Sequence, residues 1–149
     1  YINVQGDEPV CNPKDIKKIV NFAKKNPNLI INGYTEINDK KMFNSPNVPK
    51  VVFDKNEKLL FMSRSPIPSN KKRRFIKAWR QVCIYSFPYK SLKIYSSVKK
   101  KTPLESIEDL ESNRFLELGY EVKMLKMSNK SVAVDTKEDL VKVKKLVKN

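Results

Sequence analysis

The chain has 149 residues, 40% of them apolar, enough to bury a core but with no run near the roughly 20 apolar residues of a membrane helix. It contains no His, which excludes Ser-His and Cys-His nucleophiles and most zinc sites, leaving carboxylates, Lys, Arg, Tyr or a hard metal for any chemistry. The net charge of +15 favours an anionic partner (nucleic acid, acidic lipid or a phosphorylated substrate), although scattered lysines also make an ordinary solvated surface.

Tyr1-Ile2-Asn3-Val4-Gln5 reads as a buried strand that runs into Gly6-Asp7-Glu8-Pro9, two adjacent acids between a Gly and a Pro. Asn12 and Pro13 form a cap and first-turn pair for a helix to about Lys25, with Ile16, Ile19, Val20 and Phe22 at helical spacing. Leu29 to Ile37 is a second strand, and Asp39 to Phe43 a short helical turn. Lys50–Phe53 and Leu59–Met62 flank Asp54-Lys55-Asn56-Glu57 as a hairpin. The basic stretch from Ser63 to about Lys77, carrying Pro66 and Pro68, is expected to be a loop, and Trp79 to Phe87 a strand. Pro88 opens a short helix through Tyr95. Thr102, Pro103 and Glu105 then make a cap, first position and capping-box acid for one long helix. Its stripe is Leu104, Ile107, Leu110, Phe115 and Leu118, and Gly119 ends it.

Tyr120 to Met127 and Ser131 to Val134 are the last expected strands. A final helix capped by Thr136 turns Leu140, Val143, Leu146 and Val147 inward. Alternating strands and helices imply one α/β layered domain over residues 1–149, with a largely parallel sheet. An apolar opening strand belongs inside such a sheet, so at least one strand–helix–strand unit is expected upstream of Tyr1.

Ligands of open α/β sheets bind beyond the carboxyl ends of the strands, and two expected strands end there on an acid, Asp7 and Asp135. Such a pair can hold Mg²⁺, which keeps several waters and takes further oxygens from phosphates; equally, Asp7 fits a turn and Asp135 a helix cap. Cys11 and Cys83 have no metal or redox spacing and read as free thiols of a reducing cytoplasm.

The segments NVQGDEP, NSPNVPKVVFDKNEKLLFMSRSPIP, RQVCIYSF, TPLESIEDLESNRFLELGYEVKM and AVDTKEDL, in that order, resemble the CMP-Kdo synthetases (3-deoxy-manno-octulosonate cytidylyltransferases) and related sugar-acid cytidylyltransferases. The resemblance spans almost the whole chain and matches the C-terminal portion of the family, without its glycine- and arginine-containing nucleotide loop. It implies a three-layer α/β/α Rossmann-like nucleotidyltransferase fold with a mostly parallel mixed sheet. It also implies a Mg²⁺-dependent reaction of CTP with a 2-keto sugar acid, in a cytoplasmic homodimer whose contact draws on residues 40–65. By that resemblance, Asp7 and Asp135 are the catalytic metal ligands, and Gln5, Arg64, Gln81, Tyr85 and Glu111 bind the sugar acid. The family strand Arg-His-Ile-Gly-Ile-Tyr is here Arg80-Gln81-Val82-Cys83-Ile84-Tyr85, the family Glu-Gln is Glu111-Ser112, and the spacer between Arg64 and Gln81 is short, which leaves the sugar open. This stretch alone is expected to be inactive. A basic nucleic-acid-binding module is the competing reading, but there is no helix-turn-helix, zinc or RNA-platform signature, and Trp79 alone makes no stacking surface.

Overall fold

The elements follow local chemistry closely. In the computed structural model, which describes residues 1–147, β1 is Ile2–Val4 and α1 is Pro13–Lys25. Lys148 and Asn149, the end of the basic C-terminal segment, lie outside the described residues. The Asn12 side chain accepts the Lys14 N–H and so satisfies a donor that the first turn of α1 leaves free. β2 (Ile30–Glu36) leads to α2 (Lys40–Asn44), where Asp39 accepts the Met42 N–H. β3 (Lys50–Phe53) and β4 (Leu59–Ser63) form the expected hairpin, its turn held by Asp54 accepting the N–H groups of Asn56 and Lys58. Then follow β5 (Trp79–Ser86), α3 (Tyr89–Ser97), α4 (Pro103–Glu108), α5 (Glu111–Glu117), β6 (Val122–Lys126) and α6 (Lys137–Val147).

The sheet is mixed, in the order β4-β3-β5-β2-β6, with β1 also on β5. Four strands (β1, β2, β3 and β6) point one way, but β2–β6 is the one parallel pairing among the described residues. The expected mostly parallel pairing is therefore corrected. β5 runs against all three of its neighbours, so its contacts with β1, β2 and β3 are antiparallel. β1 and β3 lie end to end along the same edge of β5, β1 opposite 84–86 and β3 opposite 79–80.

Alternation along the strands splits the core into two faces. Ile30, Tyr34, Val51, Met62, Val122 and Met124 pack with Leu110 and Phe115 on the α5 side. Ile31, Val82, Ile84, Leu125 and Met127 pack with Ile19 of α1 on the other. Helices cover both faces, giving the expected three layers.

Several expectations are overturned. β1 is exposed rather than buried, because its one partner among the described residues is β5 and Ile2 and Val4 face outward. The long helix is two helices: Asp109 adopts a left-handed conformation (φ 53°), and Arg64 takes the carbonyls of Glu108 and Asp109 that a continuing helix would have used. The break leaves Leu104 and Ile107 exposed while Leu110 and Phe115 are buried. Ser131–Val134 is not a strand; its polar groups bond to a side chain and to a turn instead. In α6 Val143 is buried, but Leu140, Leu146 and Val147 are not, since no described element covers them.

Candidate active site

β1 ends at Val4, and β3 begins at Lys50 on the same edge of β5, leaving a gap opposite Gln81–Cys83. A strand edge with a gap carries backbone donors and acceptors that need partners. Gln5 N–H donates to the Cys83 carbonyl (3.1 Å), and Gln81 N–H donates to the Pro49 carbonyl (3.0 Å). The Cys83 N–H is taken by a side chain, the Glu8 carboxylate (3.2 Å). Above this gap opens a cleft of about 560 Å³.

The structure brings all seven candidate residues to this cleft: Gln5, Asp7, Arg64, Gln81, Tyr85, Glu111 and Asp135. Gln5 and Asp7 come from the end of β1 and its turn; Gln81 and Tyr85 from β5, four residues apart on one face; Glu111 from the first turn of α5, set there by the helix break at Asp109. Asp135 arrives on the irregular segment before α6. Val134 N–H donates to the Asp7 carbonyl at 2.8 Å, so the two acid-bearing segments are joined backbone to backbone. Partial burial and then the charge of Asp7 raise the Asp135 carboxyl above its ordinary value, with Asp139 adding to the effect. Among the described residues no group of three or more His, Cys, Asp or Glu is placed to hold a metal ion.

Gln81 Nε2 donates to the Tyr85 hydroxyl and to Asn32 Oδ1 (3.3 Å). The Tyr85 ring stacks on Phe87 (5.4 Å, 16°), which stacks on Phe115, so the hydroxyl sits on a rigid aromatic column. Burial raises the Tyr85 hydroxyl well above its ordinary value, keeping it protonated. Arg64 is more committed than a free substrate arginine. Its Nε, Nη1 and Nη2 donate to the carbonyls of Glu108 (2.7 Å), Pro46 (3.0 Å) and Asp109 (3.2 Å). With five donors on a guanidinium, two remain.

Sequence reasoning passed over Glu8 and Arg80, both buried and both lining the cleft. Arg80 Nη1 pairs with Glu8 at 3.4 Å, and Nη2 donates to the Ser131 carbonyl at 2.7 Å. The available signal was an Arg near the start of a strand, in a chain with a second acid beside Asp7.

Residues 1–141 match the family model described as Cytidylyltransferase. The chain is 36% identical over 148 residues to a 3-deoxy-manno-octulosonate cytidylyltransferase of Fusobacterium nucleatum subsp. nucleatum, covering 99% of this chain and 60% of that protein. It is 33% identical over 142 residues to an 8-amino-3,8-dideoxy-manno-octulosonate cytidylyltransferase of Shewanella halifaxensis, covering 93% of this chain and 57% of that protein. A solved structure of CMP:2-keto-3-deoxy-manno-octonic acid synthetase complexed with CTP superposes with a TM-score of 0.87 at 29% identity, over 99% of this chain and 61% of the other. The chain thus spans about three fifths of the length of these relatives. A cleft with two joined acidic tips, on a fold shared over nearly the whole chain, agrees with that match: the chain belongs to the cytidylyltransferase family.

Proposed function

We propose that the full protein transfers CMP from CTP to a 2-keto sugar acid, Kdo or a related ulosonic acid, releasing pyrophosphate, for lipopolysaccharide or surface-polysaccharide synthesis. The names of the relatives support the reading, and one observation carries it: the Val134-to-Asp7 hydrogen bond that brings two carboxylates to one cleft. The anomeric hydroxyl attacks the α-phosphorus, a new P–O bond forms, and the bond to the β-phosphate oxygen breaks as pyrophosphate leaves. Such transfer needs alignment and charge neutralisation more than a covalent group from the protein, so a chain without His suffices.

Asp7 and Asp135 would hold Mg²⁺. Their hard oxygens suit the ion, and the burial and the Asp7 charge that together raise the Asp135 carboxyl are what a divalent cation would offset. When bound, the ion supplies neutralisation of phosphate charge. Gln5, Gln81 and the protonated Tyr85 supply donors and acceptors for sugar hydroxyls, with Glu111 as a further acceptor in the cleft lining. The two uncommitted N–H groups of Arg64 serve the sugar carboxylate.

Among the described basic side chains lining the cleft, Arg80 is held by Glu8 and three Arg64 donors by carbonyls, while Lys41 and Lys142 make solvent-exposed pairs with Glu138 and Asp139. Because it spans about three fifths of the length of its relatives, the 149-residue chain by itself is proposed to be inactive. The working form is proposed to be cytoplasmic and a homodimer, and the solvent-facing Leu60 on the edge strand β4 supports the dimer alone. Pyrophosphate release from CTP and Mg²⁺ with a panel of keto sugar acids tests the reading on the full gene product and on this chain. Release with at least one acid by the full product supports it. Release with none overturns it, and robust turnover by the 149-residue chain overturns the proposed inactivity.

A further inference from the structure

Arg80 is buried in the cleft wall, and its four terminal N–H groups meet four acceptors. Nη1 faces Glu8 Oε1 (3.4 Å) and the Gln81 carbonyl (3.2 Å); Nη2 faces the Ser131 carbonyl (2.7 Å) and the Ser131 hydroxyl (3.2 Å). Glu8 follows Asp7 directly, and Ser131 lies four residues before Asp135. The second carboxylate oxygen of Glu8 is fixed in turn by the Cys83 N–H of β5. One guanidinium therefore touches both of the segments that bear the acidic tips, and anchors both to the same strand.

We propose that Arg80 is a positioning residue: with Glu8 and Ser131 it clamps the segment carrying Asp135 against the turn carrying Asp7, and so sets the spacing of the two carboxylates. This deepens the metal-site reading above and rests on it for its catalytic meaning, though not for its geometry. Two facts favour a clamp over an ordinary buried pair. Ser131–Val134 is outside any strand, so among the described residues its backbone ties are few, and the Arg80 and Asp7 contacts are prominent among them. And Arg80 serves a main-chain carbonyl on that segment, which no substitution at Ser131 would remove.

The test uses two readouts on the full gene product. The first is amide exchange of Val134, whose N–H makes the joint to Asp7, measured against the core amides of Val82 and Met124. The second is Mn²⁺ broadening of the resonances of Asp7 and Asp135. In Glu8→Gln/Arg80→Met the charge pair is removed together, which is less disruptive than orphaning one partner, and Gln can still accept from Cys83 N–H. Val134 exchange should quicken about tenfold or more with Val82 and Met124 unchanged, and Mn²⁺ affinity should fall by about 10- to 100-fold, as for groups that orient metal ligands. If the double variant does not fold, Arg80→Lys keeps the charge opposite Glu8 but gives up the two-armed reach to Ser131, and should show the same effects. A folded variant in which Val134 exchange stays within about twofold of the parent overturns the clamp. Absence of Mn²⁺ broadening at both acids in the unsubstituted chain overturns the metal reading instead, and the Val134 result then judges the clamp alone.

Discussion

Two glutamate–arginine pairs are buried to nearly the same degree, and they have different work. In Arg114–Glu105 the side chains are 9% and 1% exposed; in Arg80–Glu8 they are 8% and 1% exposed. Glu105 is bonded on all sides: both carboxylate oxygens meet Arg114, the Tyr95 hydroxyl donates at 2.9 Å, and the Thr102 N–H at 3.3 Å. Arg114 also lies 3.9 Å from the centre of the Tyr95 ring and donates to the carbonyls of Tyr95 and Val98. Everything it touches belongs to α3, α4, α5 or the loop between them, so the pair locks a helical layer together. Arg80 meets Glu8 through one longer contact, and burial raises the Glu8 carboxyl in spite of the nearby guanidinium. Its Nη2 reaches the Ser131 carbonyl and hydroxyl on the cleft rim, while Nη1 also donates to the Gln81 carbonyl of its own strand. Burial alone does not tell what an ion pair does; the other partners of the arginine do.

Substitutions can pull these two regions apart. The largest effect is expected at the rim. Asp7→Asn and Asp135→Asn in the full gene product should each lower the rate of pyrophosphate release by more than the roughly 10- to 100-fold that outer partners of a metal cost, with the urea midpoint little changed. A loss of folding in either would place those acids with the helical layer instead. Next, Glu105→Ala leaves Arg114 buried without its partner and should cost about 3–5 kcal/mol in urea unfolding. Mn²⁺ affinity of the folded protein should stay as it was; a parallel loss of affinity would mean the helical layer and the rim are one unit.

Gly119→Ala probes the end of α5 more gently. Its φ of +79° strains an L residue although nothing crowds the added methyl, so a loss of about 1 kcal/mol is expected without effect on the cleft. The smallest effect is in pH dependence. Burial and Asp7 raise the Asp135 carboxyl, so the fold disfavours its ionised form. Its cost to stability is absent below the unfolded-state pKa, complete above the folded one, and therefore shrinks as pH falls through that window. Mn²⁺ affinity should move the opposite way and begin to fall on acidification before an ordinary aspartate would protonate. A ¹³C carboxyl titration should show Asp7→Asn returning Asp135 toward its ordinary value, and no movement would remove Asp7 from the rim.

Much of this was legible in the chain. Caps at Asn12 and Asp39, the Asp54 turn and the apolar runs of β2 and β5 are local signals, and local bonds satisfy them. The resemblance carried Gln5, Asp7, Arg64, Gln81, Tyr85, Glu111 and Asp135 to one place, and they do line one cleft. What escaped depended on distant partners. The helix from Thr102 looked continuous because its interruption is stabilised by Arg64, some 40 positions upstream in sequence. Ser131–Val134 has strand composition, but Arg80 and Asp7 bind it where a strand would have bonded. Glu8 was passed over because neither its burial nor its role opposite Cys83 is written in its neighbours.

The middle of β5 has one further consequence. On one side the Glu8 carboxylate takes the Cys83 N–H; on the other, at the irregular step between Asn32 and Gly33, the Asn32 amide donates to the carbonyls of Val82 and Ile84. Two side chains thus stand in for missing main-chain neighbours, and no β-favouring residue can replace them. A saturation screen scored on folded yield would find Glu8 and Asn32 intolerant of apolar, β-favouring replacements. Both hold the shape of the strand that presents the cleft, and Glu8 ties the Asp7 turn to that strand as well.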